Sequence, residues 1–391
     1  MSIMAKGGSD NEALLGSVTG GHVKAFNTRG INLIGDVDLE GSLAKAAFDR
    51  IGNNVAIATD GADRGCSIKA GQIGTNVSFD IADALKSFRA DSHGSGQISA
   101  GAIANIMVKN GDVEVDVYAR AGDIGKISAS EDLSGDISAA GSIKGISTRG
   151  GSISGDISAV QTIGQIKAYG IDNATIRAGE LGKISATLGL DAEVYALTGN
   201  LAGISAGTDL TGVVSAAGSI KSVGVKAGDI HDAVIRAGVD LSKLSAGNLE
   251  ESDVSAGGNI GKINLKGDLM DCWIVAGYDI GQNGLLSQDD VRAAGSIAGV
   301  SAKGTFARSV LAAGVLPDLP RTQAADLDAF LPYVGTGGSI GSVRFGQIDH
   351  DASDPFGLFA ASAIRPFRDG SQLAQTTGMF HVEVLDRLMI G

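Results

Sequence analysis

Hydrophobic positions along most of this chain come in short bursts of an aliphatic, a variable and a small residue. Ile127-Ser128-Ala129, Ile137-Ser138-Ala139, Ile146-Ser147-Thr148, Ile157-Ser158-Ala159, Ile166-Lys167-Ala168, Ile176-Arg177-Ala178 and Ile184-Ser185-Ala186 form one such series, recurring about every ten residues. Another aliphatic precedes each burst. It stands three residues upstream in one half of the repeat (Ile124, Ile143, Ile163, Leu181) and four or five upstream in the other (Leu133, Ile153, Ile171, Leu190), so the true unit is about twenty residues.

An in-out-in triplet is the pattern of a strand with one buried face, whereas a helix needs 3.6-residue periodicity and does not accommodate a glycine in every half-unit. Helical solenoids are excluded. A two-stranded unit of this size cannot bury its aliphatic face alone, so successive units must stack at about 4.8 Å, each aliphatic on its counterpart in the next coil. The pattern predicts an all-β fold, a parallel β-helix or β-solenoid with coils of about 20 residues.

The residue before each leading aliphatic is small and polar, as at Asp123, Asp132, Ser142, Ser152, Asn200, Asp209, Asp229, Asp240, Asn259 and Asp268, and a glycine often precedes it. These read as corners. The side chains are expected to bond nearby backbone amides within turns, the glycines to supply positive φ where the coil bends, and no metal is required.

On these triplets and corners the sequence resembles the parallel β-helix (β-solenoid) repeat proteins, in particular the glycine-rich repeats of large bacterial surface and adhesin-like proteins. The resemblance spans roughly Leu43 to Ala312, with one more unit at "GGSIGSVRFG". It implies an elongated scaffold, extracellular or at the cell surface, more strongly than it implies any reaction.

Around that core the expected organisation is an irregular N-terminal part over 1–42, regular repeats over 43–312, a lateral insertion over 313–337, and the last coil with a C-terminal cap over 338–391. All five prolines and seven of the eleven phenylalanines fall after residue 305. In the insertion, Ala324, Leu327, Phe330 and Leu331 would share one face of a short helix over Thr322 to Phe330. A cap is expected because an uncovered last coil offers unpaired backbone groups to other chains, and end-to-end self-association, or association with other surface components, is the alternative outcome.

Composition narrows the picture. Glycine is 59 of 391 residues and aromatics are 4%, so the cross-section must be thin and filled by aliphatics and alanine; mean hydropathy of +0.16 excludes simple disorder. Net charge is -13 and lysines and arginines are scattered along the chain, which argues against a nucleic-acid partner. Cys66 and Cys272 lie far apart without the companions of a zinc site. No run of eighteen apolar residues predicts a transmembrane segment, and the N-terminal stretch lacks the apolar region of a signal peptide.

Candidate chemistry is sparse. "GISAG" around Ser205 and "GGSIG" around Ser339 match a nucleophile-elbow pattern, but Ser205 is the middle of an ordinary triplet and Ser339 an ordinary corner. The five histidines lack metal spacing and read as surface-loop residues, and no calcium-binding nonapeptide occurs. No cofactor, no metal and no catalytic residue is therefore expected. One binding stripe stands out among outward residues: the long half-units present Ser99, Tyr118, Ser138, Ser158, Arg177, Tyr195, Ser215, Arg236 and Ser255. Tyr118, Lys167, Arg177, Tyr195 and Arg236 are its candidate contacts with an extended acidic glycan, through cations beside aromatics and hydroxyls. The leading expectation is a non-enzymatic structural or surface-display scaffold; the alternative is a carbohydrate-binding or carbohydrate-cleaving β-helix. Long loops at one corner over consecutive coils would favour the latter.

Overall fold

A computed structural model describes residues 2–3, 13–27, 30–61, 65–279, 291–316, 333–334, 337–349, 356–365, 368–369, 372–373 and 380–384. They form strands, turns and bends, with no helix among the described residues. The chain divides into two units, 1–179 and 180–391, and each is a parallel β-solenoid.

In the first unit a first ladder runs through Lys45–Ile51, Cys66–Ile73, Leu85–His93, Ile103–Val108, Ile124–Ala129 and Ile143–Thr148, each strand parallel to the next. A second ladder alternates with it through Val37–Leu39, Ala56–Thr59, Val77–Ile81, Gly96–Ala100, Val115–Ala119 and Ile137–Ala139. Both ladders send side chains into one core. Phe26, Ala46, Ile68, Phe88, Ile106, Ile127, Ile146 and Ile166 stack in register and are all buried. Phe79 from the second ladder meets Phe88 from the first edge to face, with ring centroids 5.0 Å apart. Since the inward faces meet here, the outward faces look away from each other.

The second unit repeats the plan. Its second ladder stacks Val194, Val214, Ile235, Val254, Ile274, Leu311 and Leu358, and its first stacks Ile184, Ile204, Val223, Leu244, Ile263, Val300 and Val343. Every one of these is buried, which is the in-out-in pattern realised. Parallel pairing continues through Phe380–Val384.

The corners differ from expectation in an informative way. Their side chains accept amides from the next coil rather than from their own turn. One ladder runs Asp209 to Asp229, Asp229 to Asn248, Asn248 to Asp268 and Asp268 to Thr305, each Oδ1 accepting the following residue's N–H at 2.5 to 2.9 Å. Another joins Asp240, Asn259, Ser296 and Ser339 in the same manner. The corner glycines follow from this. Gly258 and Gly267 do not have positive φ; a Cβ at Gly258 would lie 2.6 Å from Asp240 Oδ1, and one at Gly267 would strike Asn248 Oδ1. These glycines make room for the neighbouring coil's acceptor.

Other bend glycines do adopt positive φ as expected, Gly111, Gly277 and Gly314 at 95°, 85° and 66°, and left-handed backbone also occurs at Asp232, Glu251, Asp271 and Arg308, with φ of 49°, 47°, 54° and 44°. The last four follow residues stacked in register, so one bend of the second unit is repeated coil after coil. After three of them come the buried residues Ser252, Cys272 and Ser309. Ser252 Oγ accepts Ala233 N–H at 3.1 Å and donates to Glu250 O at 2.7 Å; Ser309 Oγ accepts Cys272 N–H at 3.0 Å and donates to Ala307 O at 2.9 Å. Arg308 and Asp271 pair bidentately at 2.7 and 2.5 Å on the outer side of the same bend.

The repeat is interrupted twice at one corner. Tyr278–Asp279 pairs antiparallel with Val291–Arg292, and Val315–Leu316 pairs antiparallel with Tyr333–Val334. Register is kept across both, with Ala276 on Ala313 and Ala313 on Ala360. The expected helix over Thr322 to Phe330 lies outside the described residues.

Candidate functional site

Outward positions of the first ladder carry cations. In the first unit they run in register through Ala47, Lys69, Arg89, Met107, Ser128, Ser147 and Lys167, with Lys126 two residues before Ser128, between Asn105 and Gly145. A groove of about 1120 Å³ on this face is lined by Lys109, Lys126, Lys144, Arg149 and Lys167 together with Ser128, Ser130, Ser147, Asn110 and Gln165, and by no carboxylate. Lys109 pairs with Asp91 at 3.0 Å; no ion pair among the described residues engages Lys126, Lys144, Arg149 or Lys167. All four are exposed.

Three places on the first ladder set like charges directly opposite each other: Lys69 beside Arg89 in the first unit, and Lys243 beside Lys262 and Arg344 beside Arg368 in the second. Such cross-strand pairs repel. Stacked carboxylates on the second ladder are treated differently. Asp116, Asp136 and Asp156 each accept, through Oδ1, an amide from the next coil, at Asp136, Asp156 and Thr175. Backbone dipoles offset the acidic stack, and among the described residues no hydrogen bond or ion pair offsets Lys69 and Arg89.

The long half-unit stripe read from the sequence falls as follows. Tyr118 stacks in register between Ser99 and Ser138, and Ser158 Oγ donates to Ser138 Oγ at 3.1 Å. Partial burial, with Asp116 and Asp136 nearby, raises the Tyr118 phenol above its ordinary value. Arg177 belongs to the first unit; Tyr195, Ser215, Arg236 and Ser255 form one column in the second. Tyr195 donates to Glu193 at 3.2 Å. Lys167 stands on the first ladder beside Ser147, apart from Tyr118, and in the basic groove. Of the five residues, the structure therefore places Lys167 alone among the groove cations. The others in the groove were missed because lysines and arginines scattered along the sequence are gathered by the coil period. The readable signal was their recurrence at Lys69, Arg89, Lys109, Arg149 and Lys167 in the same half of the repeat.

Ser205 is an outward residue between Ser185 and Gly224, and Ser339 Oγ donates to Ser296 Oγ at a corner, 3.2 Å away. Neither has a histidine in contact among the described residues. His93 departs from the surface-loop expectation: it continues the core column Leu33, Ile51, Ile73 and is 6% exposed. Burial holds its pKa down at about 4. Burial likewise pushes the thiol of Cys66 up to about 12 and that of Cys272 further up, so neither is a thiolate nucleophile at neutral pH. No group of three or more potential ligands poised for a metal occurs among the described residues, and no described helix is long and apolar enough to cross a membrane. No family model matches the chain, and no curated protein or solved structure matches it either.

Proposed function

We propose that the chain is a non-enzymatic structural solenoid of the surface-display, adhesin-like kind, acting outside the cell or at its surface. What supports this is the uniformity of the coils: the buried columns continue in register through each unit, and the polar side chains best fixed in place are engaged in holding one coil to the next. Replacing Ser205 by Ala should leave any hydrolase activity of the purified chain unchanged; loss of such an activity would overturn the non-enzymatic reading.

One observation favours the carbohydrate-binding alternative as the task of the first unit, namely the groove lined by five cations and no carboxylate. Seryl hydroxyls and side-chain amides beside the cations suit the hydroxyls of an acidic glycan. The lining holds no aromatic ring, which removes the stacking platform that single-stranded nucleic acid uses. Binding of a carboxylated polysaccharide such as polygalacturonate, measured by calorimetry, should weaken steeply with salt and be lost on combined Lys126→Gln, Lys144→Gln and Lys167→Gln substitution. Equal binding of a neutral glycan, or no effect of the triple substitution, would refute it.

A further inference from the structure

In the first unit each coil contributes one row to the outward face of the first ladder, where cations predominate, and one to that of the second, where carboxylates do. The first carries Lys69, Arg89, Lys126 and Lys167, with Asp49 and Asp91 among them, and the second carries Asp38, Asp80, Glu114, Asp116, Asp136 and Asp156. The acidic face is already partly engaged by a cation from its own chain, Arg120 on Asp80 at 2.6 Å. Because both faces arise from the same coils, their rows have the same spacing. Charges on the acidic face of one molecule therefore stay in step with charges on the cationic face of another over the whole contact, instead of drifting out of register.

We propose that copies of this chain associate side by side, the second ladder of one against the first ladder of the next. Seven rows at about 4.8 Å and half-units, strand plus flanking residues, of about six residues at 3.3 Å give roughly 670 Å² per side, near the ~800 Å² per partner of a standard interface. The two surfaces differ, so the contact is heterologous and leaves each copy with one free face of each sign. Such an arrangement adds copies until salt or a competing polyanion stops it. The carbohydrate-binding reading uses the same cationic face, so a soluble acidic glycan competes with assembly; the two ideas stand or fall on separate measurements.

Sedimentation velocity of the full chain tests it. At low ionic strength the parent chain should sediment as oligomers that dissociate when salt shortens the Debye length to about 3 Å, near 1 M. Reversing the cationic face (Lys69→Glu, Lys126→Glu, Lys167→Glu) or the acidic face (Asp38→Lys, Glu114→Lys) should each leave monomers, and a mixture of the two variants should associate again. Glu114 and Asp38 are chosen because the backbone ladder of Asp116, Asp136 and Asp156 is left intact. A monomeric parent at low ionic strength, oligomers that persist in salt, or oligomers that survive both reversals would overturn the proposal, the last two pointing to contact through the coil ends. Failure of the mixture to associate would also overturn it, provided circular dichroism shows both variants folded.

Discussion

His93 occupies a position that its column otherwise gives to Leu33, Ile51 and Ile73, and it is packed against the rings of Phe79 and Phe88, with centroids 6.1 and 5.6 Å away. Its Nδ1–H donates to Gly94 O at 2.5 Å, while Nε2 is buried without a partner. A neutral ring tolerates this and a protonated one does not. The folded-state pKa of about 4 lies below the 6.5 of a free imidazole, so the unfolded chain takes up the proton first as pH falls. The stabilisation is complete above about pH 6.5 and is lost progressively down to about pH 4, to the extent of about 3 kcal/mol. His93→Leu should remove that part of the acid sensitivity. Urea denaturation of both proteins at neutral pH and near pH 4 measures it, and parallel losses in parent and variant would show that His93 does not carry the effect. This burial was not legible along the chain, because a histidine in a core column differs from one in a loop only through the register of the coil.

At the level of the repeating element, the corner acceptors matter more than the turns they sit in. Asp229 accepts Asn248 N–H at 2.6 Å and donates its own N–H to Asp209 at 2.9 Å, and Asn248 performs the same acceptor role one coil later. An amide oxygen therefore serves as well as a carboxylate. Asp229→Asn should be nearly neutral and Asp229→Ala should lower stability by about 1 to 2 kcal/mol, the effect of orphaning a hydrogen-bonded amide. Chelator should leave the thermal midpoint of the parent unchanged; a calcium-dependent rise would mean that the corners bind metal after all. The strands and their period were legible in the triplets, since alternation and burial are local properties. The role of the glycines was not, because the atom each avoids belongs to a residue about twenty positions away. The antiparallel pair of Tyr278–Asp279 with Val291–Arg292 was likewise missed, Tyr278 and Asp279 continuing the corner pattern without a break.

At the scale of the whole chain the net charge is -13, and in the first unit it conceals a division by sheet. Reading charge along the chain averages the two ladders and yields scattered lysines, whereas reading it at the coil period separates them. Stacked like charges such as Lys243 and Lys262 carry a stability cost that an uncharged neighbour would not. Lys243→Gln should therefore stabilise the folded chain by about 0.2 to 1 kcal/mol, and the gain should shrink as salt is added. A destabilised variant in thermal melts at low salt would show that the lysine stem packs more favourably than its charge repels.

The pairing offset of about twenty residues also bears on how the chain is made. A strand emerging from synthesis finds its partner in the coil just completed, so most closures span about twenty residues, those across the two interruptions 37 to 47, and none waits for the far end of the sequence. Folding can advance at the pace of translation, one coil laid on the last. A chain of 391 residues then behaves, in time, like a succession of small ones, and an interrupted synthesis leaves a shorter stack instead of a tangle.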